Sequence, residues 1–147
     1  MRALLILSPL LLAACNGHGG DAKDPTGTNG TTATNYTGIG KDETLHFTGT
    51  EPFWGGSLTD GALTYTTPDN PTGTVIPVRR FAGNNGLAYS GALGAHALDM
   101  AVTDAPCSDG MSDRTYPFTV SLQIGDEQRK GCGWTDKRGF TEKKKKA

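Results

Sequence analysis

Apolar positions fall into three regimes along this chain. Ala3 to Leu12 is a nearly continuous greasy run. Residues 16–41 hold seven glycines and six threonines, with Tyr36 and Ile39 the only large apolar side chains. From residue 43 onward, short stretches alternate apolar and polar positions and are punctuated by Gly, Asp and Asn pairs, with no helical period of useful length. Period-two alternation between turn signals predicts half-buried strands. The expected fold is therefore all-β: a small antiparallel meander of about eight strands over 43–136, barrel-like or strongly bent, following a flexible tether.

Turn chemistry sets the expected registers. Asp60-Gly61 suits a two-residue type I′ hairpin that pairs Leu58 with Leu63 and Gly56 with Tyr65, placing Trp54, Leu58, Leu63 and Tyr65 on one buried face. Gly94-Ala95 suits a II′ turn that sets Tyr89 beside Met100 and Gly91 beside Leu98. Val75–Ala82 and Leu87–Leu93 are expected to pair around Asn84-Asn85-Gly86, in a register the sequence leaves open. For the last hairpin, a three-residue loop Gly125-Asp126-Glu127 is favoured over a two-residue one. It turns Cys132 and Trp134 inward with Phe118 and Val120. Residues 103–115 are too polar for a strand and form the longest loop.

The N-terminal regime carries Arg2 ahead of the apolar run and Leu12-Ala13-Ala14-Cys15 behind it, which resembles the bacterial lipobox. That resemblance implies removal of residues 1–14, acylation of Cys15 with fatty acid such as palmitate, and a flexible linker over 15–42. Some 26 residues of such coil span on the order of 25–30 Å. The expected location is the bacterial outer membrane, because Asn16 rather than an aspartate follows the cysteine, with the domain facing the periplasm. A membrane contact through the lipid anchor is the first implied partner.

Export makes Cys107 and Cys132 an even pair in an oxidising compartment, hence an expected disulfide. Closing about 25 residues, it would stabilise the fold by roughly 3.5 kcal/mol on the chain-entropy account. Charge is segregated although the whole chain is only −1. Residues 43–136 carry five basic against eleven acidic side chains, whereas the tail 137–147 carries six basic and one acidic. The acidic domain argues against nucleic acid as a partner. Lys143–Lys146 suit anionic lipid or glycan, or a weak return onto the acidic domain.

Three clusters occur in order: Thr48-Gly49-Thr50-Glu51-Pro52-Phe53-Trp54, then Cys107-Ser108-Asp109-Gly110-Met111-Ser112-Asp113-Arg114-Thr115-Tyr116-Pro117, then Gly131-Cys132-Gly133. Together they resemble a family of bacterial envelope lipoproteins with no assigned activity, whose members occur alone or beside META-type and lysozyme-inhibitor-like domains. Gly110, between Asp109 and Met111, keeps the spacing but stands where many relatives carry another small residue.

Candidate chemistry is sparse. No nucleophile elbow, zinc-protease pair or phosphate-cradling loop is present, so no catalytic residue, metal site or cofactor is expected. Glu51 and Trp54 form a possible site, with Glu51 either a carboxylate against an aromatic wall or the residue that opens a strand. Ser108, Asp109, Met111, Ser112, Asp113 and Arg114 form the candidate recognition loop, pinned by the disulfide. Asx and Ser turns are favoured over calcium binding for its side chains. His46 and His96 are expected to be exposed strand residues. The leading expectation is a monomeric, non-enzymatic binding or structural module with an envelope protein partner. Inhibition of a lysozyme-like hydrolase and carriage of a small molecule or metal are the alternatives.

Overall fold

The computed structural model describes residues 35–143. The leader, Cys15, most of the tether and Lys144–Lys146 lie outside them. Eleven strands occur among the described residues: β1 Leu45–Thr50, β2 Phe53–Thr59, β3 Ala62–Thr67, β4 Asn70–Pro77, β5 Arg79–Ala82, β6 Gly86–Leu93, β7 His96–Thr103, β8 Arg114–Thr115, β9 Phe118–Ile124, β10 Glu127–Thr135 and β11 Thr141–Glu142. Nine build one antiparallel sheet in the order β4-β3-β2-β1-β10-β9-β7-β6-β5. The first and last strands of that order are consecutive in sequence, separated only by Val78. They are two halves of one bent strand, the first paired with β3 and the second with β6. The sheet therefore curls into a nearly closed, barrel-like meander of eight strand passes, as the alternation implies. Val78 is buried at the bend, and its N–H donates to the Gly61 carbonyl at 2.8 Å. Gly91 lets β6 approach there, since a Cβ on it would lie 2.6 Å from the Pro77 oxygen.

Both expected hairpins form in the expected register. Leu58 lies opposite Leu63 and Gly56 opposite Tyr65, with Asp60 and Gly61 both at positive φ (50° and 76°) as a I′ turn requires. Tyr89 lies opposite Met100 and Gly91 opposite Leu98. Inward positions fill the interior: Leu45, Phe47, Trp54, Leu63, Tyr65, Leu98, Met100, Phe118, Val120 and Leu122 are all buried. Gly56 has no substitute in this packing, because a Cβ would sit 1.8 Å from the Thr64 oxygen.

Three expectations need correction. Val75–Pro77 pair with β3, not with β6; only Arg79–Ala82 take the β6 partner. Pro77 and the bend at Val78 break what the apolar pattern reads as one strand.

The last hairpin has a two-residue loop, Gly125-Asp126, with Ile124 opposite Glu127. Gly125 supplies the positive φ (57°) that a tight turn needs. One residue fewer in the loop flips the parity of β10. Gly131 and Gly133 then lie opposite Val120 and Phe118, while Cys132 and Trp134 point out of the barrel. Cys132 is nonetheless buried and Trp134 half-buried, because a second layer covers that outer face.

The folded unit also exceeds 43–136 on both sides. Ile39 is 2% exposed, the Tyr36 N–H donates to the Gly83 carbonyl at 2.7 Å, and Arg80 Nη2 donates to the Ile39 carbonyl at 2.9 Å. At the other terminus β11 pairs with β8, and Phe140 packs on Tyr116 and Trp134 at centroid distances of 5.4 and 5.9 Å.

Candidate functional site

The loop between β7 and β9 leaves the barrel at one end and folds back over the outer face of β10 and β1. Three devices hold it. The Cys107–Cys132 disulfide, with 5.5 Å between Cα atoms, ties its base to β10. Cys107 and Tyr116 exchange both backbone hydrogen bonds, at 2.9 and 2.8 Å, and so close the loop's neck. Asp109 then folds the tip: Oδ1 accepts from the Ser112 N–H at 2.8 Å and the Met111 N–H at 3.0 Å, and Oδ2 from the Ser112 hydroxyl at 2.7 Å and the Tyr116 hydroxyl at 3.2 Å. These donors, the Ser112 N–H foremost, stabilise the charged form and hold the carboxyl down at about 2. Gly110, at φ 71°, makes the reversal between them.

The remaining loop residues are tied sideways. Ser108 Oγ accepts from the Gly110 N–H at 3.2 Å. Arg114 donates through Nε to Glu142 at 2.8 Å and lies 4.3 Å over the Phe140 ring. The Lys143 N–H donates to the Asp113 carbonyl at 3.1 Å, so the lysine tail is rooted beside this loop. Met111, 70% exposed, is left at the tip with its backbone fixed.

A cleft of about 540 Å³ separates the loop from the barrel, with Thr50, Glu51, Ser108, Asp109 and Lys130 on its walls. A second cleft of about 620 Å³ lies on the far side of the β1–β2 turn, between Glu51, Phe53, Asp69 and Arg129. Glu51 lines both, so the structure unites it with Ser108 and Asp109 of the recognition loop. It is exposed and shares the second cleft with the exposed Phe53.

Trp54 stands apart. It is 3% exposed, wedged between Phe47 and Tyr65 inside the barrel, with its indole seated on Gly49. A Cβ on Gly49 would fall 2.0 Å from Nε1, so the Thr48-Gly49-Thr50 step exists to admit the ring. Trp54 is a core residue.

Two features were not foreseen from the sequence. Arg129 points inward from β10, donates to the Tyr65 hydroxyl and to Glu127 (2.7 Å), and is only 17% exposed at the floor of the second cleft. Alternation along β10 would have marked it once the two-residue turn was known. The second is an outer aromatic cluster, with Trp134 stacked on His46 (5.4 Å), tilted against Tyr116 (5.5 Å) and capped edge-on by Phe140. His46 also contacts Asp136 at 2.9 Å. Neither His46 nor His96 borders the two clefts.

Asp104, Asp109 and Asp113 do not converge on an ion. Asp104 receives both guanidinium nitrogens of Arg138 (2.8 and 2.9 Å) and the Tyr36 hydroxyl (2.7 Å). Among the described residues no group of three or more His, Cys, Asp or Glu could hold a metal. No family model, no curated protein and no solved structure matches the chain, so the functional argument rests on this geometry.

Proposed function

We propose that this chain is a lipid-anchored bacterial envelope protein acting as a non-enzymatic binding module, with the Ser108–Arg114 loop and the flanking Glu51 clefts as its recognition surface. One observation carries the reading: Met111 stands 70% exposed on a loop whose base, neck and tip are each fixed. With the backbone already ordered, docking would cost the methionine its side-chain rotamers but no loop entropy, and methionine is enriched at interfaces over the rest of the surface. Export and acylation at Cys15 rest on the lipobox, and mass spectrometry of the native protein checks them.

Site-specific photo-crosslinking from position 111 in intact cells tests the recognition surface. A discrete adduct, lost when the crosslinker moves to Val75 on the opposite wall, is the expected result. Equal labelling from both positions would remove the proposal.

A second reading, inhibition of a lysozyme-like hydrolase, is favoured by charge placement. In an up-and-down meander the turns at Glu51-Pro52, Pro68-Asp69 and Gly125-Asp126 share one end, and Tyr36 docks at the other, beside Gly83. The first of these ends carries Glu51, Asp69 and Asp126, an acidic edge suited to a basic partner. Lysozyme turnover with and without micromolar domain decides it; undiminished turnover across lysozyme types ends the idea. The carrier reading loses ground because Phe47, Trp54, Tyr65 and Phe118 occupy the interior.

A further inference from the structure

We propose that the outer face of β5, β6, β7, β9 and β10 is a groove that binds a neutral, polyhydroxylated chain, an oligosaccharide. The strand registers place Arg79 opposite Ser90, Ser90 opposite Asp99, Asp99 opposite Gln123, and Gln123 opposite Gln128. These five side chains form one continuous cross-strand row. A second row runs beside it, Phe81 opposite Ala88, Ala88 opposite Ala101, Ala101 opposite Ser121, and Ser121 opposite Lys130. Both rows face outward, because the intervening Tyr89, Met100 and Leu122 are buried in the barrel. The small side chains of the second row sink its centre below the polar row, and the result is a groove of about 290 Å³.

The polar row dictates the ligand's chemistry. Guanidinium, hydroxyl, carboxylate and two carboxamides offer donors and acceptors in alternation, which suits hydroxyl groups that must both give and receive. One Arg and one Asp cancel in charge along the groove's lining, and Lys130, at the end of the second row, lines the loop cleft instead. Arg79 and Asp99 are also unspent: the ion pairs among the described residues are His46–Asp136, Arg114–Glu142, Arg129–Glu127, Lys137–Glu43 and Arg138–Asp104.

Phe81, 70% exposed at one end, gives an apolar plate for the C–H side of a sugar ring. The groove floor is mainly apolar, but Phe81 is its one large exposed apolar side chain and the rest is Ala88 and Ala101, too little relief to seat the ridge of an amphipathic helix. Five strands at the usual spacing make the row about 19 Å long, the reach of several linked rings rather than one. Gln128 lines both this groove and the cleft under the recognition loop. A longer chain would thus run toward Ser108, although the groove itself does not depend on the loop.

The test is amide chemical-shift mapping of the full chain in mild detergent with two neutral probes, cellotetraose and chitotetraose. The expected result is that at least one probe, at millimolar concentration, shifts amides of Phe81, Ala88, Ala101 and Ser121. Binding should be indifferent to salt. Filling the groove with Ala101→Trp, or removing the plate with Phe81→Ala, should weaken it about tenfold or more. Both positions are on the surface, and unchanged melting temperatures verify the fold. Val75→Ser, at an exposed position outside the groove, should bind as the parent does. The proposal is overturned if neither probe shifts any amide at millimolar concentration, if the shifts fall on residues 108–114 instead, or if both groove variants bind like the parent.

Discussion

Phe118 lies opposite Gly133 and beside Trp134 on the neighbouring strand, yet the two aromatics occupy different compartments. Phe118 points into the barrel and is fully buried, among apolar side chains from many strands. Trp134 points out and is half-buried by His46, Tyr116 and Phe140. The inner compartment is held by non-directional apolar burial. The outer layer is held by a disulfide, a two-strand ribbon, an Asp-centred turn and charge-assisted bonds. The difference implies a division of labour: the inside carries stability, and the outside carries the geometry of the proposed recognition surface.

The largest effect should come from the inside. Phe118→Ala empties a core site and is expected to cost about 3–5 kcal/mol in denaturant unfolding. Trp134→Ala, with one face already wet, should cost about 1–2 kcal/mol. Equal costs would erase the distinction between compartments. Next is the staple: replacing Cys107 and Cys132 together with Ser should lose about 3.5 kcal/mol if loop closure dominates. Hydrogen exchange sharpens this case. Amides of residues 107–116 should lose protection while those of β2 and β3 keep theirs, because the released segment lies outside the sheet.

How far the sequence could be read follows the same division. Alternation and turn residues are local signals, so the β2–β3 and β6–β7 hairpins and the meander were legible. Register parity across Gly125-Asp126 was not. A single residue of loop length decides it, and the assumption that Trp134 and Cys132 needed the interior pointed the wrong way. Nothing local announced that Tyr36 and Ile39 dock, yet they were the only large apolar residues in a stretch half glycine and threonine, and Phe140 was equally isolated in its basic tail. Of the candidate site, the loop and its disulfide were readable from composition. The meeting of Glu51 with Ser108 and Asp109 was not, because it depends on a loop folding back across the sheet.

A smaller effect concerns the clasp at the tether end, where Tyr36 and Arg138 share Asp104. Burial, then the adjacent Asp104 carboxylate, pushes the Tyr36 phenol up to about 12. A phenol whose pKa is higher in the folded chain keeps its proton longer there than when unfolded. Its stabilisation is therefore complete below pH 10 and lost as pH rises toward 12. Tyr36→Phe should cost about 1–2 kcal/mol at neutral pH and flatten that alkaline decline. An unchanged alkaline profile would mean that Tyr36 is not clasped, and that the folded unit begins later in the chain.

The smallest effect in energy is the most telling for the outer layer, because it concerns order at the loop tip. Asp109 titrates near 2 in the folded chain, below the ordinary 3.8, chiefly because the Ser112 and Met111 donors favour its charged form. A depressed carboxyl contributes above its unfolded pKa, and that contribution is lost as pH falls through the folded value. The Met111 and Ser112 amides should therefore lose their downfield shifts and exchange protection with a midpoint near pH 2, while β3 and β6 amides stay unchanged. Asp109→Asn should reproduce the loosened tip at neutral pH and weaken any crosslink from position 111 without moving the unfolding midpoint appreciably. If the tip stays ordered at pH 1, where the carboxyl is protonated, the disulfide and the Cys107–Tyr116 pair suffice to shape it, and Asp109 is left with no role in holding Met111 in place.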